Sequence, residues 1–378
     1  MQAPFNLDKY EYQTGGYFDV FKRNADEKIC AVMICEAIAA NLRNVGLVYN
    51  TADTIAVVDI GCGPADTIQM YLGAARHDGD FSIHATDCSQ DYTGADGMAQ
   101  ANLAAAKRAG ELRISDYSVT NGDAFDGRLN ATLGTAPNHF PLAIISHLFY
   151  HTTPEHLGRT LADVANNVLT PEGVGILIHT ENKPNSFQYF RSKYGRTSAT
   201  AGASDTPAMD VDDPPRAVEQ ACQAAGIPFH TAHYTNNYYF APMDETYWET
   251  FKRPAQYRTI ADKAALDNLR QLYFIPQRAA NEFAADTGDR GLSAFVDEMR
   301  KVIAPDQARF EKDGGFMALA ETVQLIGHAK ASAQTRAKLA RVAEALEAEL
   351  PRLEEQAQQI WKTSRAAVAG CHAERRRD

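Results

Sequence analysis

The chain lacks several features that mark metal-binding, disulfide-stabilised or nucleic-acid-binding proteins. Its six cysteines form no C-x-x-C pair, which argues against a zinc knuckle or a disulfide framework and favours reduced thiols in a cytoplasmic protein. Acidic residues outnumber basic ones by 48 to 37, for a net charge of −11. That balance disfavours a nucleic-acid partner, because binding phosphates requires basic patches. No apolar run approaches the length of a membrane span, and residues 1–10 do not resemble a secretory signal.

The most informative segment is a glycine-rich turn between a strand and a helix. The apolar run Ile55–Ile60 predicts a strand, and residues 67–75 predict a helix. Gly61 and Gly63 allow a tight turn and a close approach to a ligand that a side chain would prevent. The first N–H groups of the following helix lack helical partners and can face that ligand. A dinucleotide-binding fingerprint would place a third glycine where Asp66 stands, so this pattern disfavours NAD; an ordinary strand–turn–helix remains the alternative.

Further strands end in polar residues. Phe81–Asp87 predicts a second strand, and Asp87 lies at the spacing of an acid that accepts ribose hydroxyls. Asp87 could instead cap a helix that starts at Ser89. Runs 117–125 and 142–150 predict a third and a fourth strand, and a helix to about residue 169 and a strand at 174–178 follow. We therefore expect an α/β fold with a mostly parallel sheet, helices on both faces, and ligand binding beyond the carboxyl ends of its strands. The cofactor-site candidates at those ends are Asp59, Gly61, Gly63, Asp87, Cys88, Asp123, Ala124 and Ser146.

The remaining segments suggest a division into four parts. Residues 1–45 are predicted to be a helical lid or substrate region, and residues 46–250 the cofactor-binding core, with an exposed loop at 196–213. Residues 251–330 are predicted to form a helical cap with a late strand at 316–326. Residues 331–378 contain an amphipathic helix, kinked at Pro351, and a tail. The leucine face of that helix either packs on its own domain or supports a homodimer.

The pattern Asp59-x-Gly61-x-Gly63 at a strand end resembles the first motif of class I methyltransferases, which use S-adenosylmethionine. Residues 17–23, 148–154 and 187–195 resemble the histamine N-methyltransferases, within a weaker similarity over about residues 15–250. The resemblance implies a Rossmann-like seven-stranded sheet, S-adenosylmethionine as the cofactor and a pocket for a small-molecule substrate.

The same resemblance implies roles for individual residues. It gives Asp123 and Ala124 the adenine contact. It places Glu27 near the acceptor amine, His147 at the position of a glutamine, and His151 at that of a tyrosine. It also places Glu321 near a late-strand asparagine. These departures from the family pattern disfavour histamine itself as the substrate.

Each of these candidate residues could instead have a purely structural role. Asp123 could be a solvated turn acid, and His147 a strand-end histidine bonded to backbone. His151 could border a helix and Glu27 could face solvent, while the proposed substrate-binding aromatics, Tyr17 and Phe21, could be core residues. His147 and His151 stand four residues apart, but the H-E-x-x-H pattern of a zinc site is missing. The sequence therefore predicts no metal site.

Methyl transfer from an activated sulfonium requires mainly alignment of donor and acceptor. Carboxylates and aromatic faces favour a cationic amine, whereas a hydroxyl acceptor needs a base such as histidine. We therefore expect an S-adenosylmethionine-dependent methyltransferase whose small-molecule acceptor is an amine nitrogen. An O-, S- or C-methyltransferase is the alternative. A scaffold protein that binds the methyl donor, and a dehydrogenase, remain open as well.

Overall fold

The computed structural model describes residues 17–49, 54–110, 112–195 and 211–374, which group into two compact units. We call the described parts of 29–181, 213–234 and 321–378 the sheet unit. The described parts of 1–28, 182–212 and 235–320 are the helical unit. Most of the expected loop at 196–213 lies outside the described residues. The four-part division stays a prediction.

A seven-stranded sheet has the strand order β3-β2-β1-β4-β5-β7-β6. The pairs β1·β2, β1·β4, β2·β3 and β4·β5 are parallel, and β5·β7 is antiparallel. The predicted mostly parallel seven-stranded sheet is therefore confirmed, as a mixed sheet. The strands are β1 Ile55–Ile60, β2 Phe81–Asp87, β3 Ile114–Asn121, β4 Phe140–Ser146, β5 Leu169–Thr180, β6 Phe229–Phe240 and β7 Gly315–Gly327.

The strand order reverses on either side of β1, whose neighbours are β2 and β4. In open α/β sheets ligands bind at such a switch point, beyond the carboxyl ends of the strands. The segments that follow β1, β2 and β4 therefore carry the candidate site.

Helices connect the strands and fill the helical unit. Their ends follow local signals: Pro154 is the first residue of its helix, and the Thr153 side chain caps it by accepting a hydrogen bond from the His156 N–H. The α-helices of the described chain are α1 Tyr17–Asn24, α2 Glu27–Val45, α3 Asp66–Ala75, α4 Gln90–Thr93, α5 Met98–Ala109, α6 Leu129–Leu133, α7 Pro154–Asp163, α8 Phe187–Tyr194, α9 Pro214–Ala225, α10 Thr246–Phe251, α11 Lys263–Phe274, α12 Ala280–Ile303, α13 Gln307–Asp313 and α14 Ala333–Glu374.

Three element boundaries differ clearly from the sequence-based expectation. β3 spans Ile114–Asn121 rather than residues 117–125, so Asp123 and Ala124 lie after the strand. β4 ends at Ser146 rather than Tyr150, because His147 adopts a positive φ of 54° that a strand cannot continue, and a 3₁₀ turn follows at Phe149–His151. Helix α7 ends at Asp163, where a π-helical turn, Val164–Val168, takes over and leads directly into β5. Strand β5 therefore begins five residues earlier than expected, at Leu169 rather than residue 174.

The core of the sheet unit combines the inner strands with one face of α14. Strand residues such as Val57, Ile144 and Ile176 are fully buried, which matches their apolar runs. The leucine face of α14 is buried in the same core and consists of Leu339, Val342, Leu346, Leu350 and Leu353. Because this face packs within its own unit, it is not exposed for a second copy of the chain, and a homodimer stays a prediction that needs another surface.

An aromatic core holds the helical unit together. Phe21 on α1 stacks on Phe274 with ring centroids 4.7 Å apart, and it contacts Phe187 and Tyr238 at 5.7 and 5.1 Å. Residues 244–313 contain the helices α10 to α13. Of the helices in the described chain, none combines the length and apolarity needed to cross a membrane.

Candidate functional site

The turn after β1 is shaped by three residues in the left-handed region of backbone space. Gly61, Gly63 and Ala65 have φ values of 71°, 49° and 62°. The N–H groups of Gly61 and Cys62 both donate to the Thr86 carbonyl, at 2.8 and 3.0 Å, and tie the end of β1 to the end of β2. A Cβ at Gly63 would meet nothing within 4 Å, so this part of the turn faces open space. At Gly61 a Cβ would lie 2.6 Å from Leu148 Cδ1, so this position is closed to a side chain.

Asp87 joins that turn to the end of β2. Its Oδ2 accepts a hydrogen bond from the Gly63 N–H at 3.0 Å, and its Oδ1 accepts one from the Ser89 N–H at 2.9 Å. Ser89 is the N-cap residue of α4, so the bond from its N–H to Asp87 forms a turn just before the helix and does not cap the first helical turn. A carboxylate has about four acceptor positions. Each Asp87 oxygen can therefore accept one further bond from a ligand. Cys88 is exposed beside it.

Asp59 is a buried acid beneath the turn. Its Oδ2 has no hydrogen-bond partner among the described residues. Burial first, and the nearby charge of Asp87 second, raise the pKa of Asp59 to about 8. At neutral pH this carboxyl is therefore protonated and can donate a hydrogen bond as well as accept one.

The remaining cofactor candidates lie after β3 and at the end of β4. Gly122 donates its N–H to the Asp87 carbonyl at 3.0 Å, which places the β3 end beside the β2 end. Asp123 accepts from the Phe125 N–H at 2.8 Å, as a turn acid does, and its adenine contact stays a prediction. The Ala124 carbonyl is held by the Thr160 hydroxyl at 3.0 Å. Ser146 is the last residue of β4 and pairs with Ile178 of β5.

His147 follows β4 in a strained backbone conformation. Its N–H donates to the Ile178 carbonyl at 2.8 Å, which anchors the residue to β5. The imidazole Nε2 lies 3.7 Å from Glu321 Oε1, with the histidine side chain 33% exposed and the glutamate side chain 1% exposed. Glu321 reaches this place because β7 pairs it with Thr180 at the end of β5. The structure thus brings together two predicted residues from distant parts of the chain.

Three residues around His147 were not predicted. The buried Tyr150 hydroxyl lies 3.3 Å from His147 Nδ1 and 2.5 Å from Thr180 Oγ1, and it accepts a hydrogen bond from the Thr180 N–H. His179 is fully buried, and burial together with the neighbouring His147 holds its pKa well below the ordinary value. The sequence did contain a signal, because His179 and Thr180 directly follow the apolar run at residues 174–178.

The helical unit carries the other candidates. Glu27 is buried, begins α2 and pairs with Lys28 Nζ at 3.0 Å. Phe21 is 8% exposed and its packing is that of a core residue, so its contact with substrate stays a prediction. The side chains of Tyr17 and His151 lie outside the described part of the structure. The sequence reasoning missed Asp26, a buried acid that accepts hydrogen bonds from the Asn237 N–H at 2.6 Å and the Tyr239 hydroxyl at 3.0 Å.

No protein-family model matches the chain, and neither does any curated protein sequence. Among solved structures, the chain is similar to a cyclopropane-fatty-acyl-phospholipid synthase-like protein from Lactobacillus casei, with 15% identity, 78% of this chain and 92% of that chain covered, and a TM-score of 0.42. It is similar to a SAM-dependent methyltransferase from Methanosarcina mazei, with 15% identity, coverages of 52% and 88%, and a TM-score of 0.35. It is also similar to a phosphoethanolamine N-methyltransferase from Haemonchus contortus in complex with S-adenosylhomocysteine, with 13% identity, coverages of 76% and 52%, and a TM-score of 0.33.

Proposed function

We propose that the protein is an S-adenosylmethionine-dependent methyltransferase that acts on a small molecule. The observation that carries this proposal is the Asp87 carboxylate at the end of β2, bonded to the Gly63 N–H of the positive-φ turn that ends β1. In this arrangement a carboxylate that is able to accept ribose hydroxyls lies beside a side-chain-free backbone, and this supports a donor site at the switch point of the sheet. The net charge of −11 supports a small molecule over a nucleic acid.

In this proposal the sheet unit holds the methyl donor. Asp87 would accept hydrogen bonds from the ribose, and the segment at Asp123 and Ala124 would contact the adenine. The open backbone at Gly63 would let the donor's polar end approach the turn closely. The bound donor would supply an activated methyl group, so the protein needs only to align it with the acceptor and accommodate the charge that moves.

The acceptor we favour is an amine nitrogen. Charge leaves the sulfonium during transfer and appears on the nitrogen, where a nearby carboxylate stabilises it. Glu321 is such a carboxylate, buried beside the partly exposed His147 imidazole. In a buried setting its interaction with a developing cation is screened less than it would be in water. Glu27 stays a further candidate for the same role.

One observation favours an oxygen acceptor instead. An imidazole beside a carboxylate is the arrangement of a general base, and a hydroxyl must lose its proton to be methylated. His147 and Glu321 form such a pair at 3.7 Å. A general-base role predicts activity that rises with pH through the titration of the base. An orienting role for His147 predicts no such rise from this residue.

The proposal is tested by binding and by turnover. Calorimetry should show S-adenosylhomocysteine binding and no comparable binding of NAD; the opposite preference would establish a nucleotide-fold oxidoreductase instead. The protein should then be incubated with methyl-labelled donor and separate panels of amines, phenols and carboxylic acids. Label transfer to amines would support the favoured acceptor. Donor binding without transfer to any panel would favour the scaffold alternative.

A further inference from the structure

We propose that the Asp59 carboxyl carries a proton in the free protein and releases it to solvent when a cationic group of the methyl donor binds over the glycine turn. The inference rests on the proposed function, because it takes S-adenosylmethionine and its product as the ligands. Asp59 lies in β1, two positions before Gly61, and is 1% exposed. It is therefore a buried acid directly beneath the candidate donor site.

The surroundings of Asp59 in the sheet are apolar. The parallel register places it between Ala85 of β2 and Ile144 of β4, which are both buried. Register partners in neighbouring strands share a face of the sheet, so the carboxyl is flanked by two apolar side chains. Its Oδ2 has no hydrogen-bond partner among the described residues. Because a buried carboxylate that lacks donors is much less favourable than the neutral acid, this geometry favours the protonated form.

A second buried acid of the sheet unit shows the contrast. Asp163 Oδ2 accepts a hydrogen bond from the Leu129 N–H at 2.9 Å, and its Oδ1 accepts one from the Asn167 side-chain amide at 2.7 Å. Donors of this kind stabilise a carboxylate in a buried place. Within the described residues, Asp59 Oδ2 has no such donor. A negative charge on Asp59 therefore needs stabilisation by a bound cation.

The titratable groups that bear on Asp59 oppose its ionisation. Burial first, and the charge of Asp87 at the end of β2 second, raise the pKa of Asp59 to about 8. In the turn itself, burial and then the charges of Asp59 and Asp87 raise the pKa of the Cys62 thiol, so this group stays neutral. The register partners from β2 and β4 carry no titratable group. None of these neighbours supplies a positive charge.

A bound methyl donor changes this balance. S-adenosylmethionine carries a sulfonium and an ammonium group, and S-adenosylhomocysteine keeps only the ammonium. The turn above Asp59 is open at Gly63, where a Cβ would meet nothing within 4 Å, so the polar end of the donor can approach closely. A positive charge near a buried, weakly screened carboxyl favours the ionised form. Asp59 then loses its proton and pairs with the cation.

Calorimetry in two buffers of different ionisation enthalpy measures the released proton. The full-length protein is titrated at about pH 6.5 with S-adenosylhomocysteine and, separately, with S-adenosylmethionine, in PIPES and in imidazole. The parent should release up to about one proton per ligand bound. Asp59→Asn has nearly the same shape but cannot ionise, so it should lose this release. Asp163→Asn is the matched control and should keep it.

The two ligands identify the cationic group. Proton release with both ligands would assign the contact to the ammonium, and release with S-adenosylmethionine alone would assign it to the sulfonium. In the second case the site also distinguishes the charged donor from its neutral-sulfur product. Equal proton release by the parent and by folded Asp59→Asn, with both ligands, would overturn the proposal.

Affinity should depend on pH in the same way. Below about pH 7.5 the free protein holds the proton that the complex lacks, so the dissociation constant of the parent should fall as the pH rises. The ratio of the Asp59→Asn dissociation constant to the parent value should therefore rise by up to about tenfold per pH unit. Taking this ratio cancels the titration of the ligand's own amine, which both proteins share. A ratio that does not change with pH would contradict proton release.

Infrared spectroscopy separates this inference from the proposed function. A protonated carboxyl has a C=O stretching band that is distinct from the bands of carboxylates. The free parent should show this band, Asp59→Asn should lose it and Asp163→Asn should keep it. The difference between bound and free parent, which needs no variant, should show its loss on ligand binding. If neither ligand binds, the proposed function and the proton release both fail, and the band still decides whether free Asp59 is protonated. If a ligand binds and the band persists in the complex, the donor site stands and proton release is refuted.

Discussion

Replacing Asp87 with alanine is the sharpest perturbation of the proposed donor site. Each carboxylate oxygen already accepts one backbone N–H, from Gly63 and Ser89, and each can accept one further bond from a ribose hydroxyl. Asp87→Ala would remove two charge-assisted hydrogen bonds to the donor, worth at most about 1.5–3 kcal/mol each. The dissociation constant for S-adenosylhomocysteine should therefore rise by up to roughly 10² to 10⁴-fold.

The same substitution also affects the free protein. The unfolding free energy should fall by about 1–3 kcal/mol because the Gly63 and Ser89 N–H groups lose their partner. The loss stays within this range because both N–H groups are partly exposed and can bond to water instead. Affinity is therefore measured by calorimetry well below the unfolding temperature, with circular dichroism to confirm folding. Asp87→Asn keeps one acceptor oxygen and should bind with intermediate affinity.

Asp116→Ala is the matched control for charge. Asp116 is an exposed acid on β3 that pairs with Ser82 near the start of β2, at the other end of the strand from Asp87. Its loss changes the net charge equally and should leave donor affinity at the parent value. An unchanged dissociation constant in folded Asp87→Ala would refute the assignment of this acid to the donor site. An equal loss in Asp116→Ala would show that net charge, not the site, governs binding.

Four further perturbations test the catalytic and structural reasoning. His147→Ala should lower the methyl-transfer rate by roughly 10²–10⁴-fold if His147 is a general base, and by less if it orients an amine. If His147 orients an amine, His147→Gln should recover part of the rate. Parent-like turnover in His147→Ala at saturating donor would exclude both roles. In the folded protein the pKa of Asp59 is raised to about 8, so the folded state keeps a proton that the unfolded state releases above about pH 4. The contribution of Asp59 to stability is therefore present at low pH and is lost as the pH rises toward 8. Urea titrations should show the unfolding free energy of the parent falling over this pH range, and Asp59→Asn should lack that fall. Arg76 is exposed at the α3 C-cap with φ 47°, so Arg76→Gly should relieve left-handed strain and raise the unfolding free energy by about 0.5–1 kcal/mol, and a lower denaturation midpoint would contradict this. Leu346→Ala on the buried face of α14 should cost about 2–5 kcal/mol of stability in chemical denaturation, and light scattering should give an unchanged mass; a changed mass would show that this face supports assembly.

The parts of the fold that could be predicted are those that depend on local sequence patterns. The strands β1 and β2 were predicted with their observed ends, because apolar runs stop at residues that a buried strand does not favour. The glycines after β1 and the acid that ends β2 lie in a single strand–turn–helix–strand segment. Their proximity follows from parallel pairing of neighbouring strands, so sequence spacing is enough to predict it.

The contacts within the helical unit could not be obtained in this way. Its three segments are far apart in sequence, so its aromatic core is assembled from residues such as Phe21, Phe187 and Phe274. Aromatic side chains suit a core and a substrate pocket equally well, and only the ring contacts distinguish the two uses. The sequence could not decide whether Phe21 contacts substrate or packs in the core, because no local pattern encodes the ring contacts that bury it.

The arrangement around His147 depends on the φ angle of this residue, which the surrounding sequence does not predict. A positive φ is uncommon for a residue other than glycine, although histidine adopts it more often than most, so nothing in Ser146-His147-Leu148 predicts the end of β4 there. Yet that angle starts the 3₁₀ turn that returns the Tyr150 hydroxyl to the imidazole. Thr180 and Glu321 then arrive through the β5·β7 register, in which they are direct partners. A strained residue persists when its surroundings over-determine it. Here the bond from the His147 N–H to Ile178 and the Tyr150 contact hold it on both sides, which is the arrangement expected if the orientation of His147 matters to function.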